Sequence, residues 1–410
     1  MRSASSLSVS PGTAEVVNKT VYPVLFTISF THLLNDMLQS VIPAVYPLIK
    51  DHFNLSFTEI GLITLTGQLT ASLLQPFVGH YTDRKPLPMS LAIGMGFTFI
   101  GLILFSFAES FGVLLVAVGL VGVGSSVFHP ESSRVAHMAS GGKKGLAQSI
   151  FQVGGNAGSA IGPLLAALIV VPYGMRGVTW MALAAVIGMV LLWKIGQWYA
   201  AHLYLKKPNV ASGTGHSHPF MTKRRIIWAL GVLLLLIFSK YFYLASMTSY
   251  FTFFLIDKFH VSAQQSQLYL FAFLAAVAVG TIIGGPLGDR FGRKYVIWFS
   301  ILGAAPFTML LPYVDLFWTV ILAITIGVII ASAFSAILVY ATDIVPGKVG
   351  TIAGLFFGLA FGLGGLGSAV LGSLADHTSI GFVFRVCAFL PILGVVTGFL
   401  PNVEMRKRKI

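Results

Sequence analysis

Twelve runs of apolar residues, each near the ~20 residues an α-helix needs to cross a bilayer, follow one another along this chain. They lie at about 21–50, 57–80, 87–109, 111–138, 146–171, 177–200, 225–256, 264–287, 295–313, 315–343, 349–374 and 381–400. Hydrocarbon holds no water to bond a free N–H or C=O, so each run has to satisfy its own backbone as helix. Composition agrees: apolar side chains make up 56% of the 410 residues and charged ones 10%, with mean hydropathy +0.86, whereas a soluble domain carries roughly 25% charge. The expected fold is therefore an all-α integral membrane protein with twelve transmembrane helices. The first ~20 residues are polar and Ser-rich and lack a short apolar core ending in a small-residue cleavage site, so the first run is expected to stay as a spanning helix. The lone cysteine, Cys387, lies in an apolar run and reads as a small packing residue.

The chain repeats itself. Gly79-His80-Tyr81-Thr82-Asp83-Arg84-Lys85 lies between the second and third runs, and Gly285-Pro286-Leu287-Gly288-Asp289-Arg290-Phe291-Gly292-Arg293-Lys294 between the eighth and ninth. Gly79, Asp83 and the adjacent Arg84 map onto Gly285, Asp289 and Arg290 at an offset of 206, and Gly141-Gly142-Lys143-Lys144-Gly145 maps onto Pro346-Gly347-Lys348-Val349-Gly350 at 205. The polar stretch 201–224 parts the copies, giving two pseudo-symmetric six-helix bundles, 21–200 and 225–401, flanked by tails 1–20 and 402–410. Two such halves can rock about a central site, which is transporter architecture. Net charge is +13, and its distribution sets orientation. With the N-terminus in the cytoplasm, that side gathers most of the Lys and Arg, including Arg406-Lys407-Arg408-Lys409, while the opposite loops keep only Lys50, Arg176 and Lys258. Both termini are expected inside, and the basic tail then calls for no nucleic-acid partner. No metal or cofactor is expected; His216 and His218 sit in a polar linker and read as solvated.

Ionisable groups within apolar runs cost at least ~2.5 kcal/mol each, so they face a cavity or a partner. In the first run His32 and Asp36 share a helical face four residues apart, widened by Asn35 and Gln39. Two readings stay open: a structural pair between helices, or Asp36 as a proton acceptor with His32 as its partner or an anion contact. A low-dielectric cavity favours the neutral carboxyl, as a proton carrier requires. The fourth run carries His129, Glu131 and Arg134 around Pro130; Glu131 and Arg134 are spaced to pair, while His129 points elsewhere unless Pro130 kinks the turn. They form either a locking ion pair or a substrate and proton site. In the seventh run Lys240, with Tyr241 and Tyr243, falls near Leu34-Asn35 by the repeat offset, so it is either a permanent partner of Asp36, or an anion contact or coupling switch. Gln148, Gln152 and Asn156 form an amide stripe in the fifth run beside a glycine stripe, Gly154, Gly158 and Gly162, that allows close helix approach. Gly358, Gly362, Gly365 and Gly372 read as packing and bending positions, and Asp343 as a gate contact or helix cap.

The paired loops resemble the G-x-x-x-D-R-x-G-R-K signature of the major facilitator superfamily, with the second copy the fuller. The resemblance implies that fold, with Asp83, Arg84, Asp289, Arg290 and Arg293 clamping helix ends at a gate. Gly158-Ser159-Ala160-Ile161-Gly162-Pro163 is similar to the start of the family's antiporter motif, although Leu164-Leu165-Ala166-Ala167 replaces its trailing glycines. His32-Leu33-Leu34-Asn35-Asp36, Ser125–Ala136, Gly145–Asn156 and Phe238–Tyr243 resemble bacterial drug exporters of this superfamily, over about residues 25–400. What this implies is proton-coupled export of a small anionic phosphonate drug by a monomer in the bacterial inner membrane. The planar fork of Arg134 suits phosphonate oxygens, and Lys240, His129, Gln39, Gln148, Gln152, Asn156, Tyr241 and Tyr243 complete the expected binding set. Asp36, Glu131 and His32 are the expected proton-coupling groups. Proton symport of an anionic metabolite stays open, because the same charges serve either direction. A membrane enzyme acting on lipid-linked phosphates would need acidic clusters in the loops, and the loops hold few acids.

Overall fold

A computed structural model describes residues 19–141, 144–203, 221–345 and 349–401. The described residues are helical, with no strand among them. In chain order the spans are α1 (Tyr22–Ala44), α2 (Phe57–Leu73), α3 (Ser90–Ser106), α4 (Phe111–Met138), α5 (Lys144–Leu165), α6 (Val178–Ala201), α7 (Lys223–Phe259), α8 (Ala263–Phe291), α9 (Arg293–Leu302), α10 (Leu316–Ala331), α11 (Val349–His377) and α12 (Ile380–Cys387). Several continue past a break: α1 as Tyr46–Phe53, α2 as Gln75–Arg84, α10 as Ala333–Ile344 and α12 as the 3-10 helix Leu390–Phe399. Every predicted apolar run holds a helix. Nine helices among the described residues are long and apolar enough to cross a membrane. The first three runs fall short for physical reasons. The polar face of α1 dilutes its hydropathy, α2 has 17 residues before its break, and α3 has 17.

Helix starts are set by polar residues just ahead of each apolar run, whose side chains take up orphan N–H groups. Ser56 and Glu59 form a reciprocal capping box at α2, and Ser262 with Gln265 does the same at α8. Ser110, Thr222, Asp315 and Ser379 cap α4, α7, α10 and α12. Gly292, at φ +96, makes the sharp turn from α8 into α9 that the duplicated loop requires.

An even number of spans puts both described termini at one end, each tied within its own half. Val21 N–H donates to the Ala139 carbonyl (2.8 Å) and the Tyr340 hydroxyl to that of Pro401 (2.5 Å). We call the other end distal. Within residues 19–203, α1 packs along α5, α2 along α4, and α3 along α4 and α6; within 221–401, α7 packs on α11 and α8 on α10. The halves meet where α2 lies along α11 and α5 along α8.

The expected glycine stripe of α5 lies on α1: a Cβ at Gly154, Gly158 or Gly162 would collide with Ser29, Leu33 or Ser40. Gly365 and Gly372 of α11 likewise abut α2, at Gln68 and Phe57. Gly358 and Gly362 depart from the packing expectation, since a Cβ there would meet nothing within 4 Å. Cys387 is buried.

Candidate functional site

A cavity of about 340 Å³ lies between the halves. Asp36 and Gln39 of α1, His129 of α4, Asn156 of α5 and Tyr241 of α7 line it, opposite Phe361 of α11. Its chemical centre is the Asp36 carboxylate. One oxygen lies 3.3 Å from His32 Nε2, and the other 3.6 Å from His129 Nε2. Asn35 Nδ2 donates to the latter oxygen at 3.0 Å. The helical spacing expected for His32 and Asp36 thus produces a contact, and α4 adds a second imidazole that the α1 sequence does not contain.

Both rings are held from behind. His32 Nδ1 lies 2.8 Å from the Phe151 carbonyl, and His129 Nδ1 lies 3.1 Å from that of Ser125. A carbonyl only accepts, so the Phe151 contact assigns the hydrogen of His32 to Nδ1; His129 Nδ1 is shared between the Ser125 carbonyl and the Ser125 hydroxyl at 3.2 Å, and both rings turn Nε2 to Asp36. Phe151 also stacks on His32 at 4.0 Å between centroids, and Phe128 flanks it at 5.6 Å. This tight seat needs Gly155. A Cβ there would stand 2.5 Å from the His32 ring and 2.7 Å from Asp36. The i, i+4, i+8 stripe that marks Gly154, Gly158 and Gly162 passes over Gly155, so only packing reveals it.

Other expected site residues sit apart from the chamber wall. Glu131 is fully buried and pairs with Arg134, as their spacing predicts; neither lines the cavity. His129 points away from this pair, toward Asp36. Lys240 is buried, with its ammonium 5.6 Å from the Tyr241 ring and 5.4 Å from that of Phe334. No described ion pair joins it to Asp36. Tyr243 is buried in the helix core, and Gln152 Nε2 donates to Asn156 Oδ1 at 3.3 Å. The side chains of Gln148, Asp83 and Asp289 and the surroundings of Gly285 lie outside the described residues, as do His216, His218 and the tails 1–18 and 402–410.

Among the gate candidates, Arg293 pairs with Asp343, tying the start of α9 to the Ala333–Ile344 helix. Arg84 and Arg290 are exposed, and Arg290 lies over the Phe291 ring at 5.3 Å. A Cβ at Gly79 would touch Pro130 at 3.7 Å. The distal end holds a contact that sequence reasoning missed. Asp376 of α11 accepts from Phe57 N (2.8 Å), Thr58 N (2.7 Å) and Thr58 Oγ1 (2.6 Å), so one half caps the start of α2 in the other. Gln267 Nε2 of α8 donates to the Ala44 carbonyl at 2.7 Å, again across the halves.

The comparisons with known proteins agree with this architecture. The chain is 59% identical over 384 residues to the Fosmidomycin resistance protein of Escherichia coli (strain K12), covering 94% of each. It is 42% identical to the uncharacterised MFS-type transporter YfnC of Bacillus subtilis (strain 168), covering 95% of each. In fold it is similar to a bacterial homologue of the human lysosomal transporter Spinster in an inward-facing, occupied conformation (TM-score 0.73, 17% identity, 95% of this chain and 97% of that one). It also resembles the nucleoside transporter NupG (TM-score 0.71, 12% identity, 92% and 98%). The family model of the Major Facilitator Superfamily matches residues 28–365 and 241–409. Helices at every predicted span, a chamber between two packed halves and these relatives make the chain a multi-pass membrane transporter, a member of the major facilitator superfamily.

Proposed function

We propose that the chain exports a small anionic phosphonate drug of the fosmidomycin kind by proton-coupled antiport with alternating access. One observation carries the reading. A carboxylate held between two imidazoles faces a chamber between the halves, in a chain 59% identical to the Fosmidomycin resistance protein over 94% of its length. With the termini in the cytoplasm of a bacterial inner membrane, as the Lys and Arg distribution supports, the end capped by Asp376 is the outer one. The drug then enters from the cytoplasm. Asp36 and His32 exchange protons with the chamber; His129 at its wall, and Arg134 and Lys240 set back from it in this conformation, supply the cationic groups for which carboxylate and phosphonate compete. Loading a proton weakens a carboxylate's hold on its cationic partner and changes which state is favoured. Coupling follows from that competition, within a single chain.

Liposomes containing only this protein test the reading. A pH gradient should drive fosmidomycin movement, and the drug should drive counter-flow of protons. Asp36→Asn should cut proton-driven flux at least tenfold and leave drug binding within a few-fold. Protons and drug moving in the same direction would favour uptake by symport; no drug-dependent proton flux in the wild type would end the proposal.

A further inference from the structure

The His32, Asp36 and His129 cluster has a property that neither the cargo nor the direction of transport requires. The donor atoms of the three residues lie within 4.8 Å of one another. Both histidines have Nδ1 held from behind, His32 on the Phe151 carbonyl (2.8 Å) and His129 on the carbonyl and hydroxyl of Ser125 (3.1 and 3.2 Å), which leaves both Nε2 atoms facing one carboxylate. Three electron-pair donors converging on one point repel each other unless a cation stands between them. Protons do this contact by contact, one on each imidazole. A divalent metal ion does it for all three, and imidazoles whose second nitrogen donates to a backbone carbonyl are the usual outer shell of metal-bound histidine.

The distances suit zinc. Bonds of ~2.0–2.2 Å at tetrahedral angles set neighbouring donors about 3.3–3.6 Å apart; each Nε2 lies at such a distance, 3.3 or 3.6 Å, from one of the two carboxylate oxygens, and the three donors, within 4.8 Å of one another, close to that spacing by a small turn of the side chains. Two imidazoles and one carboxylate with a fourth position open to water form a common zinc donor set. There is a route in: Asp36 and His129 line the cavity and are 18% and 24% exposed, while His32 behind them is 2% exposed. Support from behind is complete, since Asn35 Nδ2 donates to Asp36 and the bare backbone of Gly155 leaves room for the pair. We propose that His32, Asp36 and His129 form a binding site for one divalent transition-metal ion of the zinc class, within the first half of the transporter.

The test uses the full chain, purified in detergent and stripped of metal, with Zn2+ alone as the probe. Titration calorimetry should find one zinc per chain, bound at micromolar concentration or tighter. X-ray absorption should show a nitrogen and oxygen shell with bonds of ~2.0–2.1 Å. His129→Ala and Asp36→Asn should each weaken binding at least about tenfold, as loss of a direct ligand exceeds the 10–100-fold cost of outer-shell changes. His52→Ala, an exposed histidine outside the cluster, should bind as the wild type does. Monodispersity on size exclusion separates lost binding from lost folding, and Co2+ absorption bands give a second readout on any folded variant. The proposal is overturned if the folded wild type takes up no zinc below about 100 µM. It is equally overturned if the folded His129→Ala and Asp36→Asn variants keep wild-type affinity. Because the probe is the metal alone, either result leaves the export reading standing.

Discussion

At the scale of single residues, the chamber depends on what is missing as much as on what is present. Gly155 lets the backbone of α5 lie against the His32–Asp36 pair, and the stacked Phe151 ring stops His32 from retreating. Gly155→Ala should therefore cost about 1–3 kcal/mol, as overpacking does. It should also lose proton-driven flux as Asp36→Asn does; unchanged thermal unfolding with unchanged flux would refute that role. Lys240 makes the opposite case. It lies buried over two aromatic rings, with no described hydrogen bond or ion pair, an arrangement that stability alone does not explain. Lys240→Met should leave thermal stability equal or higher while weakening drug binding roughly tenfold, the scale of one charge-assisted hydrogen bond. Unaltered drug affinity would remove Lys240 from the binding set.

At the scale of elements, the distal closure is a helix cap supplied by the opposite half. Asp376 satisfies the first N–H groups of α2 and places a negative charge at the positive end of that helix. Gly372 lets α11 come close beside it, against the Phe57 carbonyl. Removing an N-cap costs ~1 kcal/mol, and the closed arrangement is the one that loses it. Asp376→Ala should shift the ratio of distally closed to distally open chains about fivefold. Spin-label distances across the α2 and α11 ends measure this, and a distribution matching the wild type would count against the latch.

At the scale of the whole molecule, the proposed alternating access requires that the same contact break in every cycle. Thr58 Oγ1 and Asp376 Oδ2 are 2.6 Å apart, so Thr58→Cys with Asp376→Cys, in a Cys387→Ser background, should form a disulfide under oxidation. Transport should stop when it forms and return on reduction. Full transport in the oxidised protein would mean that the distal end need not open. The helical spans, the duplication and the His32–Asp36 and Glu131–Arg134 pairs could all be read along the chain. Each depends on hydropathy or on spacing within one helix, and lipid leaves the backbone no other way to bond itself. His129 turning onto Asp36, Gly155 opening room for His32 and Asp36, Lys240 lying on aromatic rings rather than on a carboxylate, and Asp376 capping α2 could not. Those arrangements join segments far apart in the chain, and helix packing alone sets which faces meet and at what depth.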